Sequence, residues 1–212
     1  KLIVAFMASG KPGAKALAAR LKGLLMSLSD ARVVLRLFGL PPTIQWFQAT
    51  VSGPAAADPL TVAQIVSMFV YYPMEHAWWA GKHGGIPMSA ETGNRLSLWS
   101  CRAWLFYILI DAWNVGRDLL CIHKQLLDFN EVALDDKTRV SVQVDKQLKE
   151  RADLLTRKRK ALLRALTIVG DAPLALTWSL EGGLLSDFWI GAFGTLSSIT
   201  GFVSLWEKTL KQ

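Results

Sequence analysis

The side chains of this 212-residue chain that could do acid–base, nucleophilic or metal chemistry are few and badly spaced for it. His76, His83 and His123 have no metal-ligand spacing with one another or with Cys101 and Cys121. The two cysteines fall on one predicted long helix, too far apart to bridge, so no disulfide framework is expected and a reducing compartment fits. Glu75 and His76 are sequence neighbours, a pairing that reads as an interfacial polar patch and not as a catalytic dyad. Gly81-Lys82-His83 lacks the leading glycine and the Ser/Thr of a phosphate-binding loop, and no Gly-x-Ser-x-Gly elbow occurs. The expectation is a protein that is not an enzyme, with no catalytic residue, metal or cofactor.

The charges that stand out lie inside apolar segments. Asp111 interrupts the run after Ala103–Ile110, and Arg164 and Asp171 interrupt Ala161–Leu180. An ionised Asp at mid-bilayer costs roughly 2.5–3.5 kcal/mol on insertion scales. Asp111 therefore needs a partner, or a helix sunk only partway into lipid. Asp111, Asn114 and Asp118 share one helical face, which favours a protein-facing or watery side. These residues are candidate intramembrane polar positions, and with Arg102 they could line a path for small solutes.

The elements that hold these residues are apolar. Hydrophobic residues make up 51% and charged residues 19%, nine Trp are present, and the formal net charge is +7. A basic, Trp-rich, apolar chain suits anionic lipid better than nucleic acid, and no nucleic-acid partner is expected. Over 14–38, Leu17, Leu21, Leu24, Leu28, Ala31, Leu35 and Phe38 alternate by four and three, an apolar stripe along one helix. Lys15, Lys22, Ser29 and Arg36 recur every seven on another face, joined by Arg20 and Arg32, and Asp30 is the single acid between Lys11 and Arg36. Such a helix either packs on its own core or lies in a membrane surface with its cations at the headgroups; the charge imbalance favours the second. Gly39 with Pro41-Pro42 predicts its stop.

Further along, 60–80 reads as an apolar or interfacial helix and 96–122 as a membrane-embedded one. The charged stretch 123–160 reads as a solvent loop with helical ends, closing on Arg157-Lys158-Arg159-Lys160 as a juxtamembrane lipid anchor. An apolar segment, 161–180, is broken or kinked at Pro173. Phe188–Trp206 carries no charge. At 1.5 Å per residue it spans about 28 Å, close to the hydrocarbon thickness of a bilayer, with Trp189 and Trp206 near its ends. Along it Gly191, Gly194, Ser198 and Gly201 offer small-xxx-small spacing for helix–helix contact, the basis for expecting a homo-oligomer. The whole is expected to be all-α: a single helical membrane domain over 1–212, with an N-terminal amphipathic helix and a C-terminal transmembrane helix.

The order of short motifs resembles one family. Leu28-Ser29-Asp30-Ala31-Arg32-Val33-Val34-Leu35-Arg36-Leu37 resembles the serine, small residue, Arg, aliphatic pair, Arg-Leu signature of the peroxisomal biogenesis factor 11 (peroxin 11) family. Asp111 with Trp113 and Gly116 resembles its central Asp-containing helix, and Gly194-Thr195-Leu196-Ser197-Ser198-Ile199 through Trp206 resembles its C-terminal span. Tyr71-Tyr72-Pro73-Met74-Glu75-His76 is similar to fungal members. The Gly81–Gly85 turn and the short start depart from better-known members. The resemblance implies location in the peroxisomal membrane, where no Ser-Lys-Leu matrix signal is needed. It also implies membrane elongation, proliferation and fission through helix insertion, oligomer formation and recruitment of dynamin-type fission machinery. A pore for small metabolites is the alternative. A soluble helical module would instead require Phe188–Trp206 to be buried in a core.

Overall fold

A computed structural model describes residues 12–53, 58–135 and 141–210, with side chains over 16–53, 58–129 and 146–210. Among the described residues every regular element is helical. The order is α1 (Pro12–Leu35), a 3-10 turn (Arg36–Gly39), α2 (Leu40–Val51), α3 (Pro59–Lys82), α4 (Ala90–Asp135), α5 (Ser141–Trp178) and α6 (Asp187–Thr209). The chain divides into two compact units. One comprises residues 1–111 and 170–195, the other 112–169 and 196–212.

Local chemistry explains most boundaries. The first helix does stop before Gly39-Pro41-Pro42, as expected: the chain tightens into the 3-10 turn, and what the sequence did not foretell is the new helix, α2, that starts at once with proline in its first turn. Proline is well placed there, because its missing N–H has no intrahelical partner in any case. Asp58 caps α3 by accepting hydrogen bonds from the Thr61 N–H at 3.1 Å and the Thr61 hydroxyl at 2.9 Å, with Pro59 as the first helical residue. Neither Pro73 nor Pro173 ends its helix: α3 and α5 run through them. The stretch 123–160 is helical up to Asp135 and again from Ser141. Between α5 and α6 the chain reverses at Gly182 and Gly183, both at positive φ, where a Cβ would be strained.

In the first unit the buried side chains include Ile65 and Tyr71 of α3, Ile108 and Ile110 of α4, and Leu174 and Ala175 of α5. Phe47 of α2 meets Phe69 of α3 edge-on at 5.9 Å between ring centres. Trp104 stacks on Trp178 at 5.9 Å, and the Arg102 Nε donates to the Ser179 carbonyl at 3.2 Å, supplying a cation to the end of α5. In the second unit α5 and α6 are tied by Arg159 to Glu207 at 2.6 Å and by the Thr167 and Thr200 hydroxyls at 2.9 Å.

The outward surface is far more apolar than the interior is large. On α6, Phe188, Trp189, Ile199, Phe202, Leu205 and Trp206 are all exposed. Among the described residues, two helices are long and apolar enough to cross a membrane: the 33-residue portion of α5 from Lys146 to Trp178, and α6 with 23 residues. Apolar area left in water forgoes about 25 cal/mol per Å², so lipid is the solvent that suits this surface. Asp187 in the first turn of α6 and Lys208 in its last complement the helix dipole at the two ends of that apolar run.

The Asp58 cap gives a direct test of the local reading. Asp58→Ala removes the acceptor for the Thr61 N–H and is expected to destabilise the fold by about 1 kcal/mol. Reversible denaturant unfolding in detergent micelles, followed by helical circular dichroism, measures it; no shift in midpoint would mean the cap is not contributing.

Candidate membrane interface

The leucine stripe of α1 faces away from the protein. Leu24 and Leu28 are each 58% exposed and Leu35 65%, while Leu17 is also exposed and Leu21 half-buried. The face turned inward carries Ala18 and Val33, both buried. Of the two sequence readings of this stripe, packing on its own core is therefore not what the first unit does with it. Lys22 and Arg32 lie exposed along the same helix. The Lys15 side chain lies outside the described residues.

Arg36 behaves differently from the other cations. It forms an ion pair with Glu75 of α3, and its Nη1 also donates to the Tyr71 hydroxyl at 2.7 Å. That hydroxyl in turn donates to Glu75 Oε1 at 3.0 Å. Glu75 is buried, at 8% exposure, so its charge is sustained by the guanidinium and the phenol together. Burial pushes the Tyr71 hydroxyl far above its ordinary pKa, keeping it a neutral donor. A second tie sits near the other end of the contact: Asp30 accepts from Lys82 at 3.0 Å, with His83 Nε2 at 3.7 Å. The Lys82 ammonium holds the Asp30 carboxyl below the usual range.

Sequence reasoning missed Glu75 and Tyr71 as partners of Arg36. They lie 39 and 35 positions away, and the one available signal was an acid standing in an otherwise apolar helix. Beyond the Arg36 tie, Gly39 lies so close to the Tyr72 ring that a Cβ there would fall 2.5 Å from it. The joint between α1 and α2 is thus seated against α3 at Arg36 and at Gly39.

The small residues of α6 divide. Gly191 is buried, and Gly194 approaches Leu174 of α5, a neighbour in the same chain, in ordinary van der Waals range of an added Cβ. Ser198 is exposed, and no heavy atom would lie within 4 Å of a Cβ at Gly201. Only the latter pair faces open space. Asp111 and Asp171 belong to the first unit and Arg164 to the second; each engages a neighbouring group, so none of the three stands without a partner.

Helices alone among the described regular elements, two of them able to cross a bilayer, and many large apolar side chains exposed define an all-α membrane protein. The family follows from comparison: the sequence model for "Peroxisomal biogenesis factor 11" matches residues 1–206, and the chain belongs to that family. This is a family of peroxisomal membrane proteins that serve peroxisome biogenesis, and not a family of enzymes. Comparison with curated proteins and with solved structures finds no match.

The Arg36–Glu75 pair predicts an asymmetric mutational pattern. Arg36→Ala leaves a buried carboxylate without its cation and is expected to cost on the order of 3 kcal/mol. Combining it with Glu75→Leu removes the orphaned charge and is expected to recover most of that loss. Unfolding midpoints of the single and double variants in detergent measure both, and equal losses in the two would contradict the pairing.

Proposed function

We propose that this protein bends and elongates the peroxisomal membrane by laying α1 into one leaflet, as a step toward division of the organelle. The observation that carries the reading is the stripe Leu17, Leu24, Leu28 and Leu35, exposed along a helix flanked by Lys22 and Arg32. An interfacial helix buries such a stripe at the boundary between headgroups and acyl chains while its cations stay at the headgroups. Insertion expands one leaflet relative to the other, and the bilayer relieves that mismatch by curving. The role of the family in peroxisome biogenesis supports the same direction. The span-capable helices α5 and α6 keep α1 at the bilayer surface, so its local concentration there is high whatever its own affinity.

Two further parts of the reading concern partners. Copies of the chain associate through the open Ser198–Gly201 face of α6, where small side chains let two backbones approach in lipid. Recruitment of dynamin-type fission machinery, which family resemblance implies, would then convert an elongated membrane into two.

Both the apolar and the cationic parts of α1 are needed, for separable reasons. Leu24→Glu with Leu28→Glu is expected to abolish tubulation of liposomes of any lipid charge. Lys22→Ala with Arg32→Ala is expected to weaken it only on anionic liposomes, and added salt should mimic that loss by screening. Electron microscopy of proteoliposomes reads both, and tubulation by the leucine variant would remove α1 as the source of curvature. For association, Gly201→Leu should lower the crosslinked dimer yield in proteoliposomes. Gly194→Ala, at a position already occupied by a neighbour in the same chain, should leave that yield unchanged; the reverse order would place the contact elsewhere.

A further inference from the structure

The surface that meets lipid does not end with α1. The 3-10 turn and α2 continue it. Phe38 is 72% exposed, the highest value among the described large apolar side chains of the first unit, and Leu37, Ile44 and Val51 are also exposed, beside the uncharged Gln45 and Gln48. From Leu37 to Ala57 the sequence holds no Lys, Arg, Asp or Glu. The helix α1 carries cations along its length, whereas beyond Arg36, the first residue of the turn, the rest of the turn and α2 carry none. The one charge at the joint, Arg36, is matched by Glu75 and bonded to Tyr71.

Meanwhile the inner face of α2 is fixed. Thr43 is buried, Phe47 meets Phe69, and Gly39 abuts Tyr72. The outer face therefore cannot roll inward to hide Ile44 and Phe38 without breaking those contacts.

We propose that the turn Arg36–Gly39 and the outer face of α2 form an insertion tip that enters the hydrocarbon of the leaflet more deeply than α1, with Glu75 serving to neutralise Arg36 at its base. The occupant of this surface is acyl chain. Three features point that way: the absence of charge over Leu37–Ala57, continuity with the exposed stripe of α1 through Leu35, and the presence in the same chain of helices able to cross a bilayer. A charged arginine at that depth would be strongly unfavourable alone, and pairing it with an acid on the supporting helix removes most of that penalty. The proposal rests on the reading of α1 as an interfacial helix and extends it from a stripe to a wedge with a defined deepest point.

The test uses the full chain in proteoliposomes, with Cys101→Ser and Cys121→Ser and one new cysteine at position 24, 38 or 44, each carrying an environment-sensitive fluorophore. Lipids brominated deep in the acyl chain report depth by quenching. Labels at 38 and 44 are expected to be quenched more strongly than the label at 24, and equal quenching at the three positions overturns the greater depth. If 24 is quenched while 38 and 44 remain in water, the tip is overturned and the interfacial reading of α1 stands. A label at 24 that remains in water overturns the interfacial reading itself. Blue-shifted emission at 38 without quenching means that protein covers the tip, which also overturns the proposal.

The role of Glu75 is read separately. Glu75→Gln is expected to reduce quenching at 38 relative to 24, and Arg36→Gln added to it is expected to restore it. A double variant that stays unquenched would show that the pair supports the fold and does not set the depth.

Discussion

A buried carboxylate must find a counter-charge, and in this chain the search ends on the arginine that closes the N-terminal helix. Glu75 sits inside α3, where water cannot solvate it, and Arg36 reaches it from the beginning of the 3-10 turn. Tyr71, one helical turn before Glu75, bridges both groups. The described length of α1, from Pro12 to Leu35, runs back from that point. With Arg36 anchored and Asp30 tied to Lys82, the inward face of α1 is fixed as the one bearing Ala18 and Val33, and the leucines have no direction left but outward. An apolar stripe that a soluble protein would fold inward is held exposed by two ion pairs.

That arrangement departs from the ordinary relation between polar and apolar residues. In water, apolar groups gather inside and charges decorate the surface. Here the interior of the first unit mixes Ile65, Ile108 and Leu174 with Gln64, Ser67, Glu75, Ser100, Thr177 and Ser179, while many leucine, phenylalanine and tryptophan side chains are exposed. The buried hydroxyls are largely self-sufficient. Ser67, Ser100, Thr177 and Ser179 each donate to a carbonyl three or four residues earlier in the same helix. Helices built this way need no water and little partner contact to satisfy their polar groups, which is the condition lipid imposes.

Much of this was legible in the sequence, for a specific reason. Amphipathic and apolar helices announce themselves by local spacing, and the α1 stripe and the Phe188–Trp206 span need only a window of twenty residues to be seen. The glycine-rich Gly81–Gly85 turn is local too. What escaped is whatever requires two distant segments at once. Arg36 reads as one more headgroup cation until Glu75 is brought beside it. Gly194 reads as an oligomer contact until Leu174 is found nearby, leaving Gly201 as the open position. The proline pair at 41–42 marks the stop that the sequence implied, but the same pair equally starts the helix that follows, which was not read from it.

The reversal between α5 and α6 bears on how such a chain enters a bilayer at all. Arg159 and Glu207 join the basic stretch of α5 to the C-terminal end of α6, so those two ends belong to one side. Where α5 and α6 cross as a pair, the chain carried to the far side is only the link from Ser179 to Ser186, which contains no lysine or arginine and a single acid, Glu181. The bend at Gly182 and Gly183 lets that link be short. A pair crossing in this way would send no lysine or arginine across in its link.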